Sequence, residues 1–243
     1  MNWWERPVWS LDLETTGADP LTAQIVEWAL LKVAPSGRIV EMHGGVANVE
    51  IPPEASAVHG IDRATAKWGG QYKAVASHVS ALLNRVAAER LPVVAFNAAY
   101  DLTIVANSPA AHPYSVYSDR LRVIDPLVID RHCDRYRRGS RRLEDVCKQY
   151  GLELTGWHSA LSDALAAAHL AYRIAEEHHE LRGLTLDELH SAQVEWAREW
   201  AEGLQAYKRR NGDPDAVVES GWPVREPMEV SGVAPGLEGG SGD

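Results

Sequence analysis

The run Val8-Trp-Ser-Leu-Asp-Leu-Glu-Thr-Thr-Gly17 constrains this chain more than any other stretch. Read as a strand, it alternates sides, so Leu11 and Leu13 point one way and Asp12 and Glu14 the other. A strand this apolar belongs largely inside a fold, where two neighbouring carboxylates on one face are expensive. Unpaired buried charge is costly, and adjacent like charges raise the cost further. Either the pair lies on a solvent-facing edge, or something positive sits beside it. A hard divalent cation such as Mg²⁺ or Mn²⁺, held by oxygen ligands, is the least costly partner.

The rest of the chain supplies the setting. Strands are expected over 8–13, 24–33 and 38–43, and Pro35-Ser-Gly37 reads as a hairpin turn that makes the last two antiparallel neighbours. Pro52-Pro53 breaks the pattern and predicts a loop through Glu54, His59 and Gly60. Apolar residues at Tyr72, Val75, Ala76, Val79, Leu82, Leu83 and Val86 have the spacing of an amphipathic helix over 71–89. A short buried strand follows over 92–96, with a helix beginning between 97 and 101 and another strand at Val123-Ile124. Helices are predicted over 126–136 and 143–150, the second stopped by Gly151. An alanine-rich helix over 159–180 takes Ser159 as its N-cap, and Thr185-Leu-Asp-Glu188 is a capping box opening a helix that reaches about 209. Strands first, then alternating strands and helices, describe an α/β fold: a mixed sheet with helices on both faces. The expected organisation is a domain over 1–183, a C-terminal helix over 184–210 packed on or next to it, and an irregular tail over 211–243, disordered from about 231.

Composition narrows the function classes. No apolar run approaches bilayer-spanning length, and the N-terminus lacks the basic-then-apolar plan of a signal peptide. Cys133 and Cys147 form no C-x-x-C pair and read as reduced thiols of a cytoplasmic protein, neither disulfide nor zinc site. A net charge of −10 argues against a general electrostatic grip on nucleic acid. The arginines at 131, 135, 137, 138, 141 and 142 form one basic run, readable as a solvated face or as a phosphate-tracking surface.

Three further residues bear on the acid pair. Asp101 follows Asn97-Ala-Ala-Tyr100 just after a buried strand, where open α/β sheets place ligands; a helix cap is the alternative. Asp163 shares a helical stripe with Ala166, Ala167, Leu170 and Ile174, so it faces the protein, with no lysine or arginine nearby on that face. The helix dipole offers it at most about 1 kcal/mol, and a metal explains it better. His158, five residues before Asp163, does not stack on the same helix face and belongs to the loop or cap before it. Its neighbour Trp157 reads as core packing, as a pin for that loop, or as a surface on which a base stacks.

Asp12-Leu-Glu-Thr-Thr-Gly17, Phe96-Asn-Ala-Ala-Tyr-Asp-Leu102 and His158-Ser-Ala-Leu-Ser-Asp163 together resemble the three motifs of the DnaQ-like (DEDDh) 3′–5′ exonucleases. Gln24-Ile-Val-Glu-Trp-Ala-Leu30, the stretch from Pro53 to Ile61, Asp125-Pro-Leu127 and the stretch from Leu143 to Gly151 fall in the family's order, so the resemblance covers about residues 8–180. It implies a ribonuclease H-like α/β/α fold. It implies that Asp12, Glu14, Asp101 and Asp163 hold two Mg²⁺ or Mn²⁺ ions, and that His158 is the general base acting on the attacking water. It places Thr15, Thr16 and Gly17 against the 3′-terminal nucleotide, with Glu54, His59, Phe96 and Asn97 as further substrate contacts. Phe96 stands where many members have histidine and Tyr100 where phenylalanine is common, which implies altered nucleotide packing. The activity implied is hydrolysis of nucleic acid, single-stranded DNA first, from the 3′ end to nucleoside 5′-monophosphates. An RNA-trimming exoribonuclease and a proofreading or binding subunit of a replication complex are the alternatives, although no replication partner is evident in the sequence.

Overall fold

The computed structural model describes residues 2–108, 120–153 and 159–225. Among these, strands β1 (Val8–Thr15), β2 (Ile25–Val33), β3 (Ile39–Asn48), β4 (Gly70–Gln71), β5 (Pro92–Val94) and β6 (Arg122–Ile124) form one sheet in the order β4-β3-β2-β1-β5-β6. The first three strands pair antiparallel, whereas β5 lies parallel to both β1 and β6. The turn at Pro35-Ser-Gly37 closes the β2–β3 hairpin as expected, with Ala34 N–H bonded to the Arg38 carbonyl at 2.9 Å.

Alternation along β1 and β2 divides the interior in two. On one face Trp9, Leu11, Leu13, Trp28 and Leu30 pack with α3 (Tyr72–Glu89) and α4 (Ala98–Asn107). On the other, Val8, Ala29, Leu31 and Val33 pack with α7 (Ala160–Glu177). Alanines at 164, 167, 168 and 171 let that helix approach the sheet closely, and Ser10 Oγ donates to the Ala164 carbonyl at 2.6 Å. This is a mixed sheet with helices on both faces, the ribonuclease H-like architecture, extended by a long C-terminal helix, α9 (Leu186–Arg210). No described helix is long and apolar enough to cross a membrane.

Several expectations are corrected. The predicted loop after Pro52 is a helix, α1 (Pro53–His59), followed by the short α2 (Arg63–Ala66). Pro53 occupies the first turn, where its missing N–H costs no helical bond, and Gly60 ends the helix at φ 75°. Seven residues are too few for the apolar periodicity to show. Strand β3 runs past His43 to Asn48 because Gly44 lies against the Trp28 carbonyl, 2.9 Å from where a Cβ would stand. That close approach demands glycine within a strand rather than marking its end. Helix α5 (Pro126–Cys133) stops before Tyr136, while α6 (Leu143–Gln149) ends as expected ahead of Gly151. The alanine-rich helix breaks at His178, leaving α8 (His179–Arg182) as a separate turn.

The basic run is not one surface. Arg137 and Arg141 both pair with the fully buried Asp130 carboxylate, and the Arg131 guanidinium lies 3.6 Å from the centre of the Trp200 ring. These three arginines hold α5 to the segment after it and to α9.

Candidate active site

The acid pair sits where β1 leaves the core. Asp12 and Glu14 project on the α7 face, in line with Ser10, and Asp163 comes to meet them from the first turn of α7. One carboxylate oxygen from each of Asp12, Glu14 and Asp163 lies within 4.8 Å of the others. Asp101, buried in the first turn of α4, exerts the strongest of the charges acting on Asp12. The sheet, α4 and α7 thus bring together the four carboxylates that the sequence singled out.

Their ionisation reflects the crowding. Burial, followed by the charges of Asp101, Asp163, Glu14 and Glu27, holds the Asp12 carboxyl well above the usual range. Burial, then Asp163 and Glu27, pushes Glu14 up to about 7. Asp101 is raised chiefly by burial, while the backbone N–H groups of Asp101 and Leu13 pull it back. Among the described residues no lysine or arginine pairs with Asp12 or Glu14. A cluster of hard oxygen donors, mutually repelling and without a protein counter-ion at two of its members, fits divalent cations of the Mg²⁺ or Mn²⁺ type.

A cavity of about 350 Å³ opens beside the acids, lined by Glu14, Thr15, Gly17, Glu54, His59 and Tyr100 among others. The Tyr100 hydroxyl bonds both Thr15 Oγ1 and the Gly17 carbonyl, so it ties the turn after β1 to α4. His59 is buried, and burial lowers its pKa, favouring the neutral ring, whose Nδ1 accepts from Ile61 N–H at 3.1 Å. Five of the expected substrate contacts are distributed between this cavity and its turn: Thr15, Gly17, Glu54 and His59 line it, while Thr16 faces away. Thr16 Oγ1 accepts from Gln24 N–H at 2.9 Å and ties the turn to β2. Phe96 packs into the α7-side core, and Asn97 lines a different, narrower cavity beside Asp125 and Trp222. His158 and Trp157 lie outside the described residues.

Two supporting carboxylates were not singled out from the sequence. Glu27 stands opposite Glu14 on β2 and accepts from the Ala160 N–H at 3.0 Å, capping the helix that carries Asp163. It shares its side of β2 with Ala29, Leu31 and Val33, and an acid in that apolar series was the available signal. Asp125 is fully buried and accepts from Asn97 N–H, Ala98 N–H, Leu127 N–H and Trp222 Nε1. It fixes Asn97 at φ 67° and so the start of α4, on which Asp101 rides.

Known proteins match this chain in sequence family and in fold. Residues 9–171 match the RNase T family, described as exonuclease. The PolC-type DNA polymerase III of Halalkalibacterium halodurans is 26% identical over 180 residues, which are 73% of this chain and 12% of that polymerase. A structure of exonuclease I aligns with a TM-score of 0.62 at 19% identity, over 73% of this chain and 42% of that one. The Escherichia coli exonuclease I complex with a dA16 oligonucleotide aligns with a TM-score of 0.59, again at 19% identity, over 73% and 42% of the two chains. The chain therefore spans less than half the length of these relatives. With a family match over two thirds of its residues, it belongs to the RNase T exonuclease family, a DnaQ-like group of 3′–5′ phosphodiester hydrolases.

Proposed function

We propose that this protein uses two divalent cations to remove nucleoside 5′-monophosphates from the 3′ end of single-stranded DNA. The observation that carries this reading is the meeting of Asp12, Glu14 and Asp163 oxygens within 4.8 Å, backed by buried Asp101, at the mouth of the 350 Å³ cavity. Asp12, Glu14, Asp101 and Asp163 would hold the cations, which when bound supply Lewis acidity for the attacking water and the leaving oxygen. The rest falls to the chain. Thr15, Gly17, Glu54 and His59 line the space where the terminal nucleoside would sit, and Tyr100 fixes the turn that walls it. His158 is assigned as the general base, at a position just before the helix that carries Asp163. Support for DNA comes from the polymerase relative and from the exonuclease I structures bound to dA16 and dT13.

The test is digestion of matched single-stranded DNA and RNA oligomers, labelled at the 5′ end, with Mg²⁺, Mn²⁺ or chelator. Asp12→Asn and Asp163→Asn are expected to abolish release of mononucleotides. His158→Ala is expected to lower the rate by roughly 10²–10⁴-fold while leaving the melting temperature unchanged. Metal-independent cleavage, or full activity in the aspartate variants, would refute the assignment. Faster digestion of RNA than of DNA would reassign the substrate and leave the chemistry standing.

A further inference from the structure

A second group of ligand-type side chains lies away from the carboxylate cluster. Cys133 closes α5, His178 is the residue between α7 and α8, and Glu180 stands in the first turn of α8. One potential ligand atom from each lies within 4.8 Å of the other two. Although the cysteine spacing reads as no zinc site, we infer that Cys133, His178 and Glu180, brought together by the fold, form a zinc site that joins the end of α5 to the α7–α8 corner.

Three observations carry the inference. The first is donor type. A thiol, an imidazole and a carboxylate are the donors that zinc takes, and a thiolate disfavours Mg²⁺, so this site and the all-oxygen cluster would select different ions. The second is spacing. His178 Nδ1 and Glu180 Oε1 are 3.3 Å apart, about the 3.3 Å edge expected for two ligands each ~2.0–2.1 Å from one tetrahedral ion. The third is the other face of the ring. His178 Nε2 is 3.1 Å from the Tyr150 hydroxyl, so a proton on Nε2 has an acceptor and the Nδ1 lone pair is left for a metal. Metal-binding histidines are commonly oriented in this way by an outer partner. Glu180 is largely exposed, which leaves the fourth position open to water.

The electrostatic setting favours a cation. The carboxylates of Glu180, Asp130 and Asp134 all bring negative charge to the Cys133 thiol. The same negative surroundings that disfavour a bare thiolate favour a thiolate neutralised by a divalent ion, and binding would release the thiol proton.

The test is Co²⁺ titration of the full chain, followed by displacement with Zn²⁺. A thiolate-to-cobalt charge-transfer band, together with the strong visible absorption of tetrahedral cobalt, is expected at one equivalent and should vanish on adding Zn²⁺. The carboxylate cluster has no sulfur and cannot give that band. Cys133→Ser should remove it and Cys147→Ser should keep it. Tyr150→Phe should keep the band and weaken binding by roughly 10–100-fold, as loss of an outer partner does. If Cys133→Ser does not fold, His178→Gln is read instead and should weaken binding at least as much as Tyr150→Phe. Absence of the band in the unmodified chain, or its persistence in Cys133→Ser, would overturn the assignment.

Discussion

Glu14 links the chemistry of the site to the stability of the fold. Its carboxyl rises from 4.5 to about 7 in the metal-free protein, so the folded chain holds a proton there that the unfolded chain has released. Stability must therefore fall as pH rises from about 4.5 to about 7, the opposite of a carboxylate in a salt bridge. Asp12 is raised as well and adds to the same slope. A bound cation removes the repulsion, so Mg²⁺ should raise the melting temperature more at about pH 8 than at about pH 5. Melting curves with chelator and with Mg²⁺ at the two pH values check this. Equal Mg²⁺ effects at both would mean that these carboxylates do not hold the ion. Glu27 offers a finer probe, because it both caps Ala160 and faces Glu14. Glu27→Gln keeps an acceptor for the cap while removing a charge. It should raise the Mg²⁺ concentration for half-maximal activity several-fold with little change in stability. Glu27→Ala should in addition lose roughly 0.5–2 kcal/mol, the usual worth of a helix cap.

At the scale of elements, positions are set by a few buried polar groups rather than by apolar contact alone. Gln193 on α9 is fully buried; its Oε1 accepts from Asp125 N–H at 2.7 Å and its Nε2 donates to the Val123 and Leu189 carbonyls. Gln193→Leu fills similar space but strands the Asp125 N–H and the Val123 carbonyl. Denaturant unfolding should show a loss of roughly 2–6 kcal/mol, about 1–3 for each of the two groups left unsatisfied. Networks of this kind are what the sequence hides. Long periodic elements were legible: the spacing from Tyr72 to Val86 gives α3, the Ser159 cap and alanine stripe give α7, and the Thr185 box gives α9. The acids at 12, 14, 101 and 163 were legible because each interrupts or borders an apolar pattern. Glu27 interrupts one too, yet its partner, the Ala160 N–H, lies 133 residues away and no local rule announces it. Asp125 is harder still, since its donors come from β5's end, α5 and residue 222. Short α1 was missed because two prolines look alike as a break and as a helix start; the φ of Gly60 distinguishes them only once the chain is folded.

Across the whole molecule, the C-terminal segment is wired into the site although the family match ends at residue 171. Strand β6 is one edge of the sheet, opposite β4, and α9 covers it through Leu189 and Gln193. Beyond α9 the chain returns, and the indole of Trp222, only 9% exposed, donates to Asp125 Oδ2 at 3.2 Å. Asp125 in turn holds the Asn97 and Ala98 N–H groups that begin α4 and position Asp101. Removing residues 186–243 would therefore uncover an edge strand and take from buried Asp125 both the indole donor to its carboxylate and the Gln193 acceptor of its backbone N–H. Such a truncation should melt at lower temperature and lose mononucleotide release even if it remains folded, because the start of α4 is no longer fixed. Trp222→Ala isolates the second part of the argument: it should cost roughly 3–5 kcal/mol as a large buried side chain and reduce activity more than an equally destabilising change on α3, such as Leu83→Ala. Comparing single-turnover rates of those two variants at a temperature where both are folded decides the point. If they fall together, the tail contributes stability alone; if Trp222→Ala falls further, its bond to Asp125 reaches the metal ligands through α4.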